Sequence, residues 1–237
     1  MSIQGLVVLI LLFFVTSAVG VVTGSNSLIT VPVMFQFGID PKVAVATNMF
    51  GLTFMSVGAT IPFLRKDVID KKKIAPLVLV TLVASAIGAG LVSLAMIAVT
   101  IFTLVKRDAG VAAGAEVSTG AKILTFVLTF LLGVYGGLYS GGYVTILTAV
   151  YVAFFGMTFT ESVASTKLIN VFSSLIATAI FMWQGLVDYK LGLILAAAMF
   201  VGAYIGAHVV TKLSDVWLKR IFIATVLLLA AKTIFDF

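Results

Sequence analysis

The 237-residue chain contains no cysteine. Disulfide frameworks, thiolate metal sites and cysteine nucleophiles are therefore excluded. It has one histidine, His208, too few for a multi-histidine metal or haem site. No Walker-type phosphate loop is present, which argues against ATP hydrolysis by this chain. Charge is scarce: 10% of residues are Asp, Glu, Lys or Arg, against about 25% in a soluble domain. Hydrophobic residues make up 62%, and the mean hydropathy is +1.25. Such a chain cannot cover a soluble globule with polar groups. The composition argues against a soluble enzyme, a nucleic-acid binder and a disordered protein. The net charge of +6 fits Lys and Arg holding loops against anionic lipid.

What is present is a series of apolar blocks: 3–38, 41–63, 74–105, 121–156, 159–184, 190–211 and 217–236. A helix needs about 20 apolar residues to cross a hydrocarbon layer. The runs are continuous rather than alternating, which rejects a β-barrel. The expected fold is an all-α integral membrane protein, a polytopic bundle of seven or eight spans in the cytoplasmic membrane. The first block lacks a basic leader and a small-residue cleavage site, so it reads as a retained helix. The first and fourth blocks would each be about 54 Å long as one straight helix, too long without a break. Each contains one: Thr23-Gly24-Ser25-Asn26-Ser27 and Ser140-Gly141-Gly142. Glycine frees the backbone there, and Ser and Asn compete for its hydrogen bonds. Both blocks read as discontinuous helices, with re-entrant hairpins as one form.

The breaks open an internal repeat. Gly20–Ser27 aligns with Gly137–Val144, and Ala44-Val-Ala-Thr47-Asn48 with Val163-Ala-Ser-Thr166-Lys167. Asp67–Asp70 aligns with Gly185–Asp188, and Ala84-x-x-x-Gly88-Ala89 with Gly202-x-x-x-Gly206-Ala207. The organisation expected is a first repeat at 1–105, a polar linker at 106–120 and a second repeat at 121–237. Paired broken helices in two halves point to a transporter's substrate site. The Arg65–Lys73 loop, densest in bases, is placed in the cytoplasm. If each broken block crosses once, Lys212–Arg220 shares that side. Trp183–Lys190 and Lys106–Arg107 then lie opposite.

These residues resemble the sulfite exporter TauE/SafE family of membrane anion permeases. The resemblance rests on Gly20–Pro32, the Gly38-x-x-Pro41-x-x-Ala44-x-Ala46-Thr47-Asn48 run and the loop near Asp70. It continues through Gly136-Gly137, Gly141-Gly142, Ala164–Asn170, Gly185–Asp188 and Gly202-x-x-x-Gly206-Ala207. It implies two related halves and transport of sulfur-containing anions such as sulfite or sulfonates.

Lys167 stands about 12 Å along the 159–184 helix. An intramembrane charge is a functional candidate by default. Its alternatives are snorkelling to the interface or pairing with Glu161, six positions and roughly 240° away. Thr47, Asn48, Thr166 and Asn170 could supply donors to an oxyanion, or tie helices together. The breaks themselves, Gly24, Ser25, Asn26 and Ser27 with Ser140, Gly141, Gly142 and Tyr143, complete the candidate substrate site. Exposed backbone at membrane depth is tolerated only inside protein or along a cavity. The two small-xxx-small motifs read as helix packing. His208 reads as an interfacial residue or, less simply, a proton relay.

The function expected is a secondary transporter moving a small sulfur-containing anion by alternating access. A passive anion channel is the alternative. A retinal-type protein is disfavoured because Lys167 lies in a middle helix with no deep carboxylate. No cofactor and no metal are expected. The expected partners are the anion, membrane lipid and protons as coupling ion; a homodimer is an allowed assembly, and nucleic acid is not expected.

Overall fold

The computed structural model describes residues 2–24, 26–87, 118–138 and 141–235. The described residues form nine helices. In order they are α1 (Ile3–Thr23), α2 (Ser27–Gln36), α3 (Pro41–Arg65), α4 (Lys71–Ile87), α5 (Thr119–Leu138), α6 (Tyr143–Phe154), α7 (Phe159–Trp183), α8 (Tyr189–Val210) and α9 (Asp215–Phe235). Residues 106–117 of the expected linker, and Gly88 with Ala89, lie outside the described residues.

Local chemistry sets the helix starts. The Asp40 carboxylate accepts from the Lys42 and Val43 amides, with Pro41 as the first residue of α3. A first-turn proline costs nothing, because its missing N–H would have had no helical partner. Thr158 and Glu161 form a reciprocal capping box on α7, which satisfies two orphan amides. That engagement also removes Glu161 from any pairing with Lys167. Asp70 receives the Lys72 and Lys73 amides, and Asp188 the Leu191 amide. Asp215, in the first turn of α9, accepts from the amide and hydroxyl of Thr160. The described acids thus sit at helix starts or, for Asp67, in a turn.

Among the described residues five helices, α1, α3, α5, α7 and α8, are long and apolar enough to cross a membrane. Their outer faces stay apolar. Leu11, Val15 and Val19 of α1 are exposed while Leu9, Phe13 and Ser17 are buried. On α8, Leu193, Val201 and Ile205 are exposed opposite Leu195, Met199 and Ala203. Helices apolar on every face belong in lipid, so the chain is a multi-pass membrane protein.

Side-chain contacts fix the helix directions. Helices α3 and α8 run in step: Gly51 abuts Met199 and Gly58 abuts Phe200. Farther along, Arg65 donates to the Tyr204 hydroxyl and Lys66 to the Thr211 carbonyl. Helix α7 runs the other way, with Thr178 beside Thr53 and Asn170 beside Ser56. Helix α1 parallels α8. Gly202 and Gly206 press on the carbonyls of Phe14 and Ala18, and a Cβ at either would overlap them. This is the packing role expected of the small-xxx-small motif.

The short helices α2 and α6 have 10 and 12 residues, about 15 and 18 Å, roughly half a hydrocarbon layer. Helix α6 doubles back along α5. Tyr143 lies against Gly136, the Thr129 hydroxyl meets the Tyr151 hydroxyl, and the Phe126 ring meets the Phe155 ring. Of the two forms allowed for the 121–156 block, the structure shows the hairpin, which enters and leaves at one end, so the condition of a single crossing does not hold for it. Left-handed Gly142 (φ 78°) supports the reversal, and Gly136 gives the Tyr143 ring room. The basic clusters do gather at one end, as expected. Lys66 reaches Thr211, Lys73 lies over the Phe155 ring, and Thr160 binds Asp215.

A geometric recurrence runs through the bundle. The described residues with positive φ pair at a constant separation of 118 positions: 24 with 142, 38 with 156, 67 with 185. Hydrogen bonds recur at the same spacing. Thr30 bonds Asn48 as Thr148 bonds Thr166. Val68 to Phe63 recurs as Leu186 to Phe181, and Ile74 to Asp70 as Gly192 to Asp188. The Asp67–Asp70 landmark was aligned in this register, and two others were one position off, in opposite directions. Gly24 corresponds to Gly142 rather than Gly141, and Asn48 to Thr166, which leaves Met49 opposite Lys167.

Candidate functional site

The two breaks touch. Gly24 closes α1 in the left-handed region (φ 72°), its amide bonded to the Gly20 carbonyl. A Cβ there would stand 2.7 Å from the Thr145 amide nitrogen and 2.9 Å from Val144. The Thr145 hydroxyl donates to the Thr23 carbonyl, so the first turn of α6 grips the last turn of α1. Neither α2 nor α6 has a side-chain N-cap bond. Two helix starts and the end of α1 thus meet inside the bundle.

Lys167 reaches this point from α7. It is 2% exposed, and its ammonium donates to the Gly20 carbonyl at 2.7 Å. Snorkelling and pairing with Glu161 are both overturned, because the side chain turns inward to a backbone acceptor. Among the described residues it forms no ion pair. An ammonium carries three donors, and this one spends one of them. Removing a cation from water costs several kcal/mol even after relaxation, so a buried ammonium with spare donors invites an anionic partner.

Neutral polar groups surround it. Asn26 donates weakly to the Ser17 hydroxyl and to the Met55 sulfur, both at 3.4 Å, and its Oδ1 has no partner. The Tyr143 hydroxyl, fully buried at the start of α6, makes no hydrogen bond of normal geometry, but it faces Thr81 of α4 and Ser173 of α7. Buried polar groups are nearly always paired, so the unpartnered Asn26 oxygen, on a side chain packed against Gly20, marks a place where something polar is missing.

The remaining predicted residues hold the frame. Asn48 accepts from Thr30 at 2.7 Å and donates to Ser27 at 2.8 Å, fastening α2 to α3. Thr166 meets Thr148 at 3.3 Å, joining α7 to α6. Asn170 donates to Ser56 at 2.6 Å, joining α7 to α3. Thr47 is turned away from this group; its hydroxyl accepts from the Asp188 amide at the start of α8. Gly141 gives its carbonyl to the Tyr135 hydroxyl. Ser25 and Ser140 lie outside the described residues. Sequence reasoning missed the Gly20 carbonyl and the threonines Thr30, Thr145 and Thr148. The threonines stand within two turns of a break on otherwise apolar helices, which was the signal available. His208 is exposed on the last turn of α8, beside Tyr204.

A multi-pass helical bundle whose interior is opened by paired helix breaks is the architecture of a membrane permease. Comparison with known proteins agrees. A model of the sulfite exporter TauE/SafE family matches residues 9–233, and the chain belongs to that family. It is 25% identical over 244 residues to a probable membrane transporter protein of Haemophilus influenzae, covering 98% of this chain and 95% of that one. It is 24% identical over 236 residues to the probable membrane transporter protein ORF9 of a Sinorhizobium species, covering 94% and 90%. Over 242 residues it is 24% identical to the probable membrane transporter protein YfcA of Escherichia coli, covering 95% and 89%. No solved structure matches the chain.

Proposed function

We propose that this permease moves a small sulfur-containing anion, such as sulfite or a sulfonate, by alternating access. The anion binds where the two breaks meet. Lys167 supplies the positive charge, and Asn26, Tyr143 and the first-turn amides of α2 and α6 supply donors. Asn48, Thr166 and Asn170 hold the helices that carry them. The observation that carries this reading is the buried Lys167 ammonium, whose one bond goes to the Gly20 carbonyl, with Asn26 and its unpartnered amide oxygen packed against the same glycine. The family's name supports the substrate class.

We also infer that residues 1–105 and 121–237 are two repeats of inverted orientation. The 118-position recurrence supports this, as does the antiparallel course of α3 and α7, whose N-caps Asp40 and Thr158 are 118 positions apart. Inverted repeats exchange conformations about a shared site, which is the usual basis of alternating access.

The test is anion binding to detergent-purified protein, followed by flux in proteoliposomes. Sulfite and methanesulfonate are expected to bind the parent, and Lys167→Met to lose at least about tenfold, roughly 1.4 kcal/mol. Uphill accumulation driven by a proton gradient supports a transporter. Flux that only dissipates the anion gradient supports the channel instead.

A further inference from the structure

We propose that the site around Lys167 accepts its ligand as one net negative charge: a small monoanion, with a dianion admitted only alongside its own proton or cation. This rests on the reading of the site given above.

The argument is a count of charges. Residues 1–39, 43–64, 74–105, 123–160 and 168–187 contain no Asp, Glu, Lys or Arg. Side chains from those stretches therefore bring no formal charge to the site, and Lys167 brings one; the other buried lysine, Lys219, stands one turn from Asp215 at the start of α9 and is engaged there. The nearest acid in sequence, Glu161, is committed to its capping box at the start of α7.

The helix ends contribute partial charges, about +0.5 at an N-terminus and −0.5 at a C-terminus. Four ends meet at the two breaks. The starts of α2 and α6 are positive; the ends of α1 and α5 are negative. Each break joins one end of each sign, so the ends add no net charge to that of Lys167, while the nearer first-turn amides act as neutral donors. The remaining groups are neutral donors and acceptors. The Asn26 amide can serve an anion by turning over. Its oxygen would then accept from Ser17, and its NH2 would occupy the position of the oxygen that now has no partner.

Within a low-dielectric interior a monoanion leaves a neutral pair. A dianion leaves one buried negative charge without a counter-charge, the costliest arrangement available. A neutral isostere leaves Lys167 unanswered. Affinity should therefore peak at charge −1.

Three sulfur-centred probes of similar size separate these cases: dimethyl sulfone, methanesulfonate and sulfate. Their charges are 0, −1 and −2 at any pH near neutrality. Binding to the full-length detergent-purified protein is measured by calorimetry at fixed ionic strength. Methanesulfonate is expected to bind, with sulfone and sulfate each at least about 30-fold weaker. Lys167→Met is expected to bring methanesulfonate down to the level of the sulfone. Lys167→Arg keeps the charge and is expected to keep the order of the probes. Sulfate binding as tightly as methanesulfonate, and lost in Lys167→Met, overturns the charge count while leaving the site in place. No methanesulfonate binding, or binding indifferent to residue 167 in both variants, overturns the site and this inference together. The order of the three probes on the parent decides the charge question even if Lys167→Met does not fold.

Discussion

Helices α3 and α7 are each 25 residues long and start at Pro41 and Phe159, yet they are equipped differently. Asn48 of α3 spends both ends of its amide on α2. Its counterpart on α7, Thr166, makes one hydroxyl contact with α6. One residue further along, α7 carries Lys167 where α3 carries Met49, and three further on it carries Asn170 where α3 carries Leu52. Under the proposed two-repeat arrangement the scaffold is duplicated and the charge is not. On that proposal, a single cation placed off a pseudo-symmetric frame gives one binding site rather than two.

The comparison breaks most severely if the charge is moved. Met49 is 1% exposed. Met49→Lys should cost about 3–5 kcal/mol, the usual result of burying an uncompensated charge, and should fail to give monodisperse protein. A folded variant with the parent's melting temperature would mean that the two helices are interchangeable. Gly24→Ala comes next, at about 2–4 kcal/mol. It combines a positive φ with a Cβ 2.7 Å from the Thr145 amide. Gly38→Ala isolates the first of those effects, since nothing lies within 4 Å of its Cβ. It should cost only about 1 kcal/mol. Thermal unfolding in detergent reads both, and equal losses would remove the contact between the breaks from the account. Smallest are the interhelical bonds, worth about 0.6 kcal/mol each in membranes. Asn48→Leu should lose about 1 kcal/mol for two such bonds, and Thr166→Val about half that. The reverse order would contradict the different bonding of α3 and α7 to their short helices.

Much of this was legible in the residues. The breaks at Gly24 and Gly142 announced themselves as Gly, Ser and Asn within blocks too long to be one helix. The acids declared the helix starts, since Asp40, Asp70 and Asp188 precede apolar runs as caps do. The hairpin of α5 and α6 was legible only as one of two forms, because composition locates a break without giving the direction the chain takes after it. The repeat register slipped by one position because Thr47 and Thr166 look alike in sequence. Only the positive-φ positions and matching hydrogen bonds fix Asn48 opposite Thr166. Thr47 was misplaced for a related reason: neighbouring helix positions differ by about 100° in direction, so it faces α8 while Asn48 faces α2. The partner of Lys167 was also invisible, since a backbone carbonyl leaves no mark in a sequence.

The natural absence of cysteine allows a direct test of the central claim, that Lys167 meets the anion at the breaks. Lys167→Cys introduces one thiol into the whole chain. Aminoethylation of that thiol rebuilds a lysine-like ammonium, and sulfonatoethylation installs a negative charge instead. Methanesulfonate affinity should be lost in the unmodified variant, return on aminoethylation and stay absent after sulfonatoethylation. The bound anion should also slow the modification. Affinity equal to the parent's in the unmodified variant would contradict the account and return Lys167 to a purely structural role at the end of α1.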